Sequence, residues 1–252
     1  MKLWNRWSGE AHVRTVGQIF SNAYAFEVPS YQRSYAWEED QVRELLSDLL
    51  DAMDNNGVYR LGSIGLIKSP NDPQSKVMDG QHRLTTLTIM LAILRDLTTE
   101  EEKRFDRQTY IFQKANADRR TSERFRVLLR NRDRPFFLKH VQQPGATNTL
   151  PDLGIFRGSQ YRIATNVHCL RERLEALNEI RRDELVEFIV QRCSLLVVAV
   201  PTAKALVMQV IIKCFRLSMS FLIRLKGKVS GRIGRARGRL VPLKYLLGRL
   251  RN

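Results

Sequence analysis

The chain has 252 residues, of which 43% are hydrophobic, so it is long enough for one large domain or two small ones with a packed core. Its formal net charge is +16, and most of this excess lies in residues 203–252, which contain 13 Lys and Arg and no Asp or Glu. The remaining 29 basic and 26 acidic residues have the charge balance of an ordinary domain, which weakens the case for a nucleic-acid-binding protein on charge alone.

The cysteine and histidine content argues against a disulfide framework and against a zinc site. The three cysteines have no metal-like spacing, and the four histidines form no pair at the helical spacing of zinc ligands. The amino-terminal residues lack a continuous apolar stretch, and no clean span of about 20 apolar residues occurs. We therefore expect neither a signal peptide nor a membrane span, and a cytoplasmic location.

The first hundred residues show the pattern of an α/β fold. A helical turn is predicted at residues 16–20, and an edge strand at residues 26–33, whose proline cannot donate to a sheet. Residues 38–53 have apolar side chains at helical spacing behind an acidic first turn. Strands at residues 59–68 and 75–78 are expected to pair as a hairpin.

The following hundred residues are predicted to be mostly helical. The expected elements are a loop or helix end at 100–107, short strands at 108–113 and 125–129, a short helix at 134–141, a loop or subdomain boundary at 142–154, helices at 158–178 and 181–192, and a buried strand at 195–200.

The turn between a strand and a helix at residues 76–86, KVMDGQHRLTT, concentrates polar side chains. The apolar helix that follows it is predicted to be central, and its amino end suits a phosphate because the first N–H groups there are free. Gly80 would let a ligand approach the backbone, Arg83 offers a forked donor, and Asp79 could bind Mg²⁺ or cap the helix. The alternative is a capped structural helix with a surface arginine.

Four stretches in this order resemble the DUF262 family: VPSYQRSYAW, the helix EEDQVRELLSDLLDA, YRLGSI and VMDGQHRLTTL. The family comprises the N-terminal domain of GmrSD-type, modification-dependent restriction enzymes and also occurs in phosphorothioate-sensing defence proteins. Its usual motif is DGQQR, in which His82 here replaces the second glutamine. The resemblance is strong over residues 16–97, loose over 98–200 and absent beyond.

The resemblance implies a ParB/sulfiredoxin-like α/β fold, a small mixed sheet with helices followed by a helical region. It also implies nucleotide binding and hydrolysis with Mg²⁺ and a nucleoside triphosphate. Sulfiredoxin has its catalytic cysteine at the position of Gln81, so sulfiredoxin chemistry is excluded.

The residues expected to serve these functions lie in two motifs and a supporting strand. The expected catalytic residues are Asp79, which would also hold the magnesium ion, Gln81 and Arg83. The expected phosphate ligands are Arg33, Gly80, Gln81, His82, Arg83 and Thr85. The residues expected to recognise a base or modified DNA are Tyr31, Gln32 and Arg33. Gly62 and Ser63 are expected to close the pocket beneath the turn, while Tyr35 and Trp37 are expected in the core.

We expect three segments: a core at residues 1–97, a mostly helical remainder at 98–202, and a basic tail at 203–252. The tail is interpreted either as frameshifted or otherwise aberrant sequence with few contacts to the core, or as a genuine nucleic-acid-binding tail.

Two functions stay open. One is a nucleotide-hydrolysing sensor domain of a modification-dependent restriction system, truncated and without the HNH-type nuclease domain in which many family members end. The other is a non-catalytic ParB-like DNA-binding module. Both need a partner nuclease, and self-association is a further partner hypothesis.

Overall fold

The computed structural model describes residues 10–115, 122–149 and 152–201, so the predictions for the basic tail lie outside the described residues. The elements in chain order are β1 (Glu10–Thr15), α1 (Val16–Ile19), β2 (Ala25–Glu27), α2 (Glu39–Asp54), β3 (Tyr59–Lys68), β4 (Gln74–Asp79), α3 (Gln81–Asp96), α4 (Glu101–Gln108), β5 (Phe112–Gln113), β6 (Arg124–Phe125), β7 (Val127–Leu128), α5 (Arg134–Phe137), α6 (Gly158–Glu175), α7 (Glu179–Glu187) and β8 (Cys193–Val200). π-Helical turns at Leu138–Gln142 and Phe188–Arg192 extend α5 and α7.

A six-stranded mixed sheet with the order β1-β8-β3-β4-β2-β7 forms one layer. The hairpin of β3 and β4 lies at its centre, and β8 enters between β1 and β3, antiparallel to the first and parallel to the second. On the other side β4, β2 and β7 are parallel to one another. Strands β5 and β6 form a separate small hairpin.

Helix α3 is the centre of the core because every residue in it except Arg83 and Asp96 is buried. Its apolar residues occupy the whole circumference, which is the pattern of a helix enclosed on all sides. At its carboxyl end the fully buried Arg95 donates to the carbonyl oxygens of Gln142 and Gln143 at 2.8 and 2.7 Å. This contact closes the 142–147 segment over the end of the helix.

The predicted mixed α/β class is confirmed, and so are the central helix and the β3–β4 hairpin. Helix α2 begins one residue after its predicted start and ends one residue after its predicted end. Strand β8 is present as predicted, but it is buried only at Cys193, Leu195, Val197 and Val200, whereas Leu196 is exposed, so one side of it is more open than the uninterrupted apolar run indicated.

Several predicted elements differ from the structure. Only Phe112–Gln113 of the strand predicted at 108–113 is a strand, and the strand predicted at 125–129 is divided between β6 and β7. The edge strand at residues 26–33 is wrong, because β2 has only three residues and pairs with β4 on one side and β7 on the other. The charged segment at 100–107, expected as a loop or helix end, forms helix α4. Strand β1 has no counterpart among the predicted elements.

Candidate functional site

The turn between β4 and α3 depends on Gly80, which takes a φ of +89° as the residue that precedes the helix. A β-carbon at this position would lie 2.5 Å from Ile64 Cγ2, so strand β3 fills the space where a side chain would be. Gly80 therefore lets β3 and the turn pack closely, which differs from the expected role of opening the backbone to a ligand. Gly80, as the residue before the helix, has no side chain that could cap the first N–H groups of α3.

Arg83 belongs to the first turn of α3, and its side chain packs against strand β3. Its Nη1 donates to the carbonyl oxygen of Ser63 at 3.2 Å, and its guanidinium faces Gly62, where a β-carbon would lie 3.2 Å from Arg83 Cζ. Gly62 has a φ of +94° and interrupts the register between β3 and β8. The bulge in β3 at Gly62 and Ser63 therefore supports the guanidinium.

The loop at residues 31–33 is joined to the same turn by three hydrogen bonds. Gln81 Nε2 donates to the carbonyl oxygen of Arg33 at 2.7 Å, and Gln32 Nε2 donates to that of Met78 at 2.9 Å. The hydroxyl of Tyr31 donates to Met78 Sδ at 3.2 Å. These hydrogen bonds bring the two predicted motifs together at the amino end of α3. Arg33 and Tyr31 are exposed there.

The predictions missed Arg130, which fixes this loop from the other side. Its Nη1 donates to the carbonyl oxygen of Gln32 at 3.3 Å, and its Nη2 donates to Ser34 Oγ and to Asp133 Oδ2, each at 2.8 Å. Arg130 follows β7, almost a hundred residues after the loop, and nothing in the sequence pattern indicates this contact.

Two predicted phosphate ligands lie inside the protein. The hydroxyl of Thr85 donates to the carbonyl oxygen of Gln81 at 2.8 Å within the helix. The ring of His82 is buried against the edge of Tyr35, with centroids 5.4 Å apart, and against Trp37. Both side chains therefore pack inside the protein beneath the turn, where they stabilise it.

Tyr35 belongs to the core as expected. Its hydroxyl lies 2.8 Å from Thr86 Oγ1 and accepts a hydrogen bond from Asn166 Nδ2 at 2.9 Å. Burial raises the pKa of Tyr35 to about 12, against the smaller opposing effect of these two hydrogen bonds.

Asp79 is the carboxylate of the turn and is partly exposed. Within the part of the chain that the structure describes, no group of three or more His, Cys, Asp or Glu side chains could enclose a metal ion. Mg²⁺ bound with a nucleotide needs only one or two carboxylates because the phosphates supply other ligands. The residues present fit a magnesium ion in that mode.

In the candidate site Tyr31 and Arg33 are exposed, and Asp79 and Arg83 are partly exposed. Two clefts, of about 460 and 740 Å³, lie elsewhere, the first between α2 and α6 and the second beside α1, and neither is lined by a predicted site residue. The arrangement can bind an anion at the end of α3 while leaving it accessible to solvent.

Comparison with known proteins decides the family. The model of the GmrSD restriction endonuclease N-terminal domain matches residues 16–213, which is most of the chain. The chain belongs to this family. This GmrSD N-terminal domain is therefore a component of a restriction system, which acts on DNA. The match continues thirteen residues past Val200, where the sequence alone showed no resemblance.

No curated protein matches the chain. Of the helices that the structure describes, none has the length and apolar character needed to cross a membrane.

Proposed function

We propose that this domain binds and hydrolyses a nucleoside triphosphate, and that it senses modified DNA within its restriction system. The observation that supports the proposal is the placement of the Arg83 guanidinium against the β3 bulge, in the first turn of α3. A guanidinium and a row of helix N–H groups are complementary to phosphate oxygens. A partner nuclease and a cytoplasmic location are part of the same proposal.

In this proposal the residues of the turn have different roles. Arg83 contacts phosphate oxygens directly, and its hydrogen bond to Ser63 prevents it from turning away into solvent. Gln81 acts through Arg33, since its amide already donates to the Arg33 carbonyl oxygen. Magnesium, when bound between Asp79 and the phosphates, would neutralise charge that develops on them.

The DNA-sensing role falls to the loop at residues 31–33. Tyr31 is 61% exposed and Arg33 is exposed, so a base could stack on the ring while the guanidinium contacts a backbone phosphate. Because this loop is hydrogen-bonded to the turn, a nucleotide at Arg83 and DNA at Tyr31 would bind to two segments that hold each other in place.

The second candidate is a DNA-binding module without turnover. It is favoured by the exposure of Tyr31 and Arg33, because hydrolytic enzymes commonly exclude bulk water when the reaction occurs. In that case Arg33 and Arg83 would both contact DNA phosphates, and a partner nuclease would cut.

Calorimetry on the full chain with a nucleoside triphosphate and Mg²⁺ tests the proposal. We expect Arg83→Ala to abolish binding, while Arg173→Ala, an exposed arginine on α6, leaves it unchanged. Equal binding by Arg83→Ala and the unmodified chain would contradict the nucleotide site.

A salt series separates the two candidates. Duplex DNA binding that falls steeply with salt, needs no nucleotide and is accompanied by no phosphate release would favour the binding module. Phosphate release that disappears in Arg83→Ala would favour the hydrolysing sensor.

A further inference from the structure

The cleft of about 460 Å³ between α2 and α6 has an acidic lining. Glu38, Glu39 and Asp40 line it from the start of α2, and Arg162 lines it from α6. Glu38 pairs with Arg162 at 3.4 Å and Glu39 pairs with Arg43, whereas no described cation lies within ion-pair distance of Asp40. The cleft therefore keeps a negative charge in a chain whose net charge is +16.

The floor of this cleft contains a buried hydrogen-bond acceptor. Asn166 lines the cleft and is fully buried. Its Nδ2 donates to the Tyr35 hydroxyl at 2.9 Å and to the carbonyl oxygen of Trp37 at 3.0 Å, which fixes the orientation of the amide. Its Oδ1 has no hydrogen-bond partner among the described residues.

Covalent geometry places this oxygen at the foot of the acidic wall. The oxygen and the nitrogen of one amide are about 2.2 Å apart. Because Nδ2 contacts Trp37, the residue before Glu38, Oδ1 of Asn166 lies where α6 meets the start of α2. A buried acceptor without a donor destabilises the fold, since it has lost water and gained nothing in exchange. A ligand with N–H groups would supply the missing donor.

The same lining favours an organic cation over a bare metal ion. In the part of the chain that the structure describes, the acidic side chains do not converge in a group of three or more that could hold a metal ion. An organic cation needs no such convergence, because its charge is spread over several N–H donors that point in different directions.

We infer that this cleft binds a guanidinium group. The five N–H donors of a guanidinium lie in one plane, so they can serve the Asp40 carboxylate and the Asn166 oxygen together. Tyr161 lines the cleft and is 43% exposed, and its ring offers a face on which a guanidinium stacks. No atom lies within 4 Å of the β-carbon position at Gly158, so the cleft is open on that side. Its volume is typical of small-ligand sites.

Calorimetry on the full chain tests the site with N-acetyl-arginine methylamide as the probe. We expect Asp40→Asn to weaken binding at least tenfold, because it removes the carboxylate that pairs with the guanidinium. Asp51→Asn is the matched control, since it changes the same charge at an exposed position of the same helix outside the cleft. The corresponding lysine compound should bind at least tenfold more weakly than the arginine compound, because an ammonium lacks the planar fork.

A second measurement follows the buried acceptor itself. The side-chain amide resonance of Asn166 should shift during the titration, whereas that of Asn178, whose oxygen accepts from the Arg181 N–H, should not. Tyr161→Leu should weaken binding several-fold while the thermal midpoint stays unchanged. Absence of binding, undiminished binding by Asp40→Asn, or an unshifted Asn166 resonance would overturn the inference.

Free arginine distinguishes the source of the guanidinium. If a partner polypeptide supplies it, the blocked compound should bind at least as tightly as free arginine, because only the side chain enters the cleft. If a free metabolite supplies it, free arginine should bind at least tenfold more tightly, because its charged α-amino and carboxylate groups then contribute contacts of their own.

Discussion

Two glycines with positive φ flank the candidate site and have different functions. Gly80 has no room for a side chain because Ile64 fills that space, whereas Gly62 is exposed and faces a flexible arginine. A substitution at Gly80 therefore strains the fold, and one at Gly62 acts on the site. The difference follows from what each glycine contacts, since both adopt the same backbone region.

Gly62→Ala is expected to weaken nucleotide binding more than it weakens the fold. The new β-carbon would displace the Arg83 guanidinium from Ser63, and the positive φ would cost about 1 kcal/mol of unfolding free energy. Calorimetry and urea unfolding measure the two effects. The control is Gly158→Ala, which has a φ of +61° and nothing within 4 Å of the added carbon, so it should lose stability alone.

The buried hydroxyl of Tyr35 makes the free energy of unfolding depend on pH in the alkaline range. Its pKa is about 12 in the folded protein against 10 for an unperturbed tyrosine, so the stabilisation is complete below pH 10 and is lost between pH 10 and 12. The loss is about 2 to 3 kcal/mol from this residue. In Tyr35→Phe the fall of unfolding free energy over this range should be shallower by that amount, although Tyr59 and Cys193, whose pKa values burial also raises to about 12, still contribute.

Sequence reasoning could identify the residues of the turn but not the direction in which each side chain points. Arg83 and Arg33 were predicted as phosphate ligands, and solvent reaches both, Arg33 being exposed and Arg83 partly exposed. His82 and Thr85 belong to the same motif, yet they lie on the buried faces of α3 because this helix is enclosed on nearly all sides. A motif gives the order of residues, and only packing decides which of them solvent can reach.

At the scale of elements, the 31–34 loop has no regular hydrogen-bond ladder and depends on side chains from distant segments. Arg130 contacts it from the residues after β7, and Gln81 contacts it from the start of α3. Local patterns predicted β3 to the residue because its ten residues form a long strand pattern of their own, although it pairs with the distant β8 as well as with β4. They failed for β2 because three residues are too few for such a pattern, and they failed for α4 because its buried residue is an arginine.

Arg130→Met is expected to loosen the loop and to weaken binding at the candidate site. It removes both loop contacts and leaves the buried carboxylate of Asp133 without its ion pair, at a cost of about 1 to 3 kcal/mol. Hydrogen exchange at the amide of Gln32 should become faster. Arg134→Met, whose ion pair with Glu27 is exposed and 3.7 Å long, should change neither exchange nor binding.

At the scale of the whole molecule, the open sheet is completed by β8, the last strand in the described chain. β8 supplies the neighbour of both β1 and β3, and its buried residues Cys193, Leu195 and Val197 pack into the core. β1 pairs with no other described strand. The segments predicted at 1–97 and 98–202 therefore contribute strands to one sheet.

A chain cut after residue 192 is expected to lose cooperative unfolding. It keeps α3 and the β3–β4 hairpin, but it loses the apolar residues of β8 from the core, exposes the hydrogen-bonding edge of β3 and leaves β1 unpaired. Urea unfolding followed by circular dichroism would show a broad transition, and a dye that binds exposed apolar surface should bind the fragment strongly. A sharp transition at an unchanged midpoint would show that β8 is dispensable.

The late position of β8 also matters while the protein is being made. Helix α3 leaves the ribosome about a hundred residues before the strand that completes the sheet, a delay of roughly 5 to 20 s at ordinary rates of translation. During that interval its apolar surface, buried on nearly every side in the finished domain, has only part of its cover. A cell that produces this domain must therefore shield a nascent chain that cannot fold piece by piece, and chaperone supply should limit the yield more than codon usage near the start.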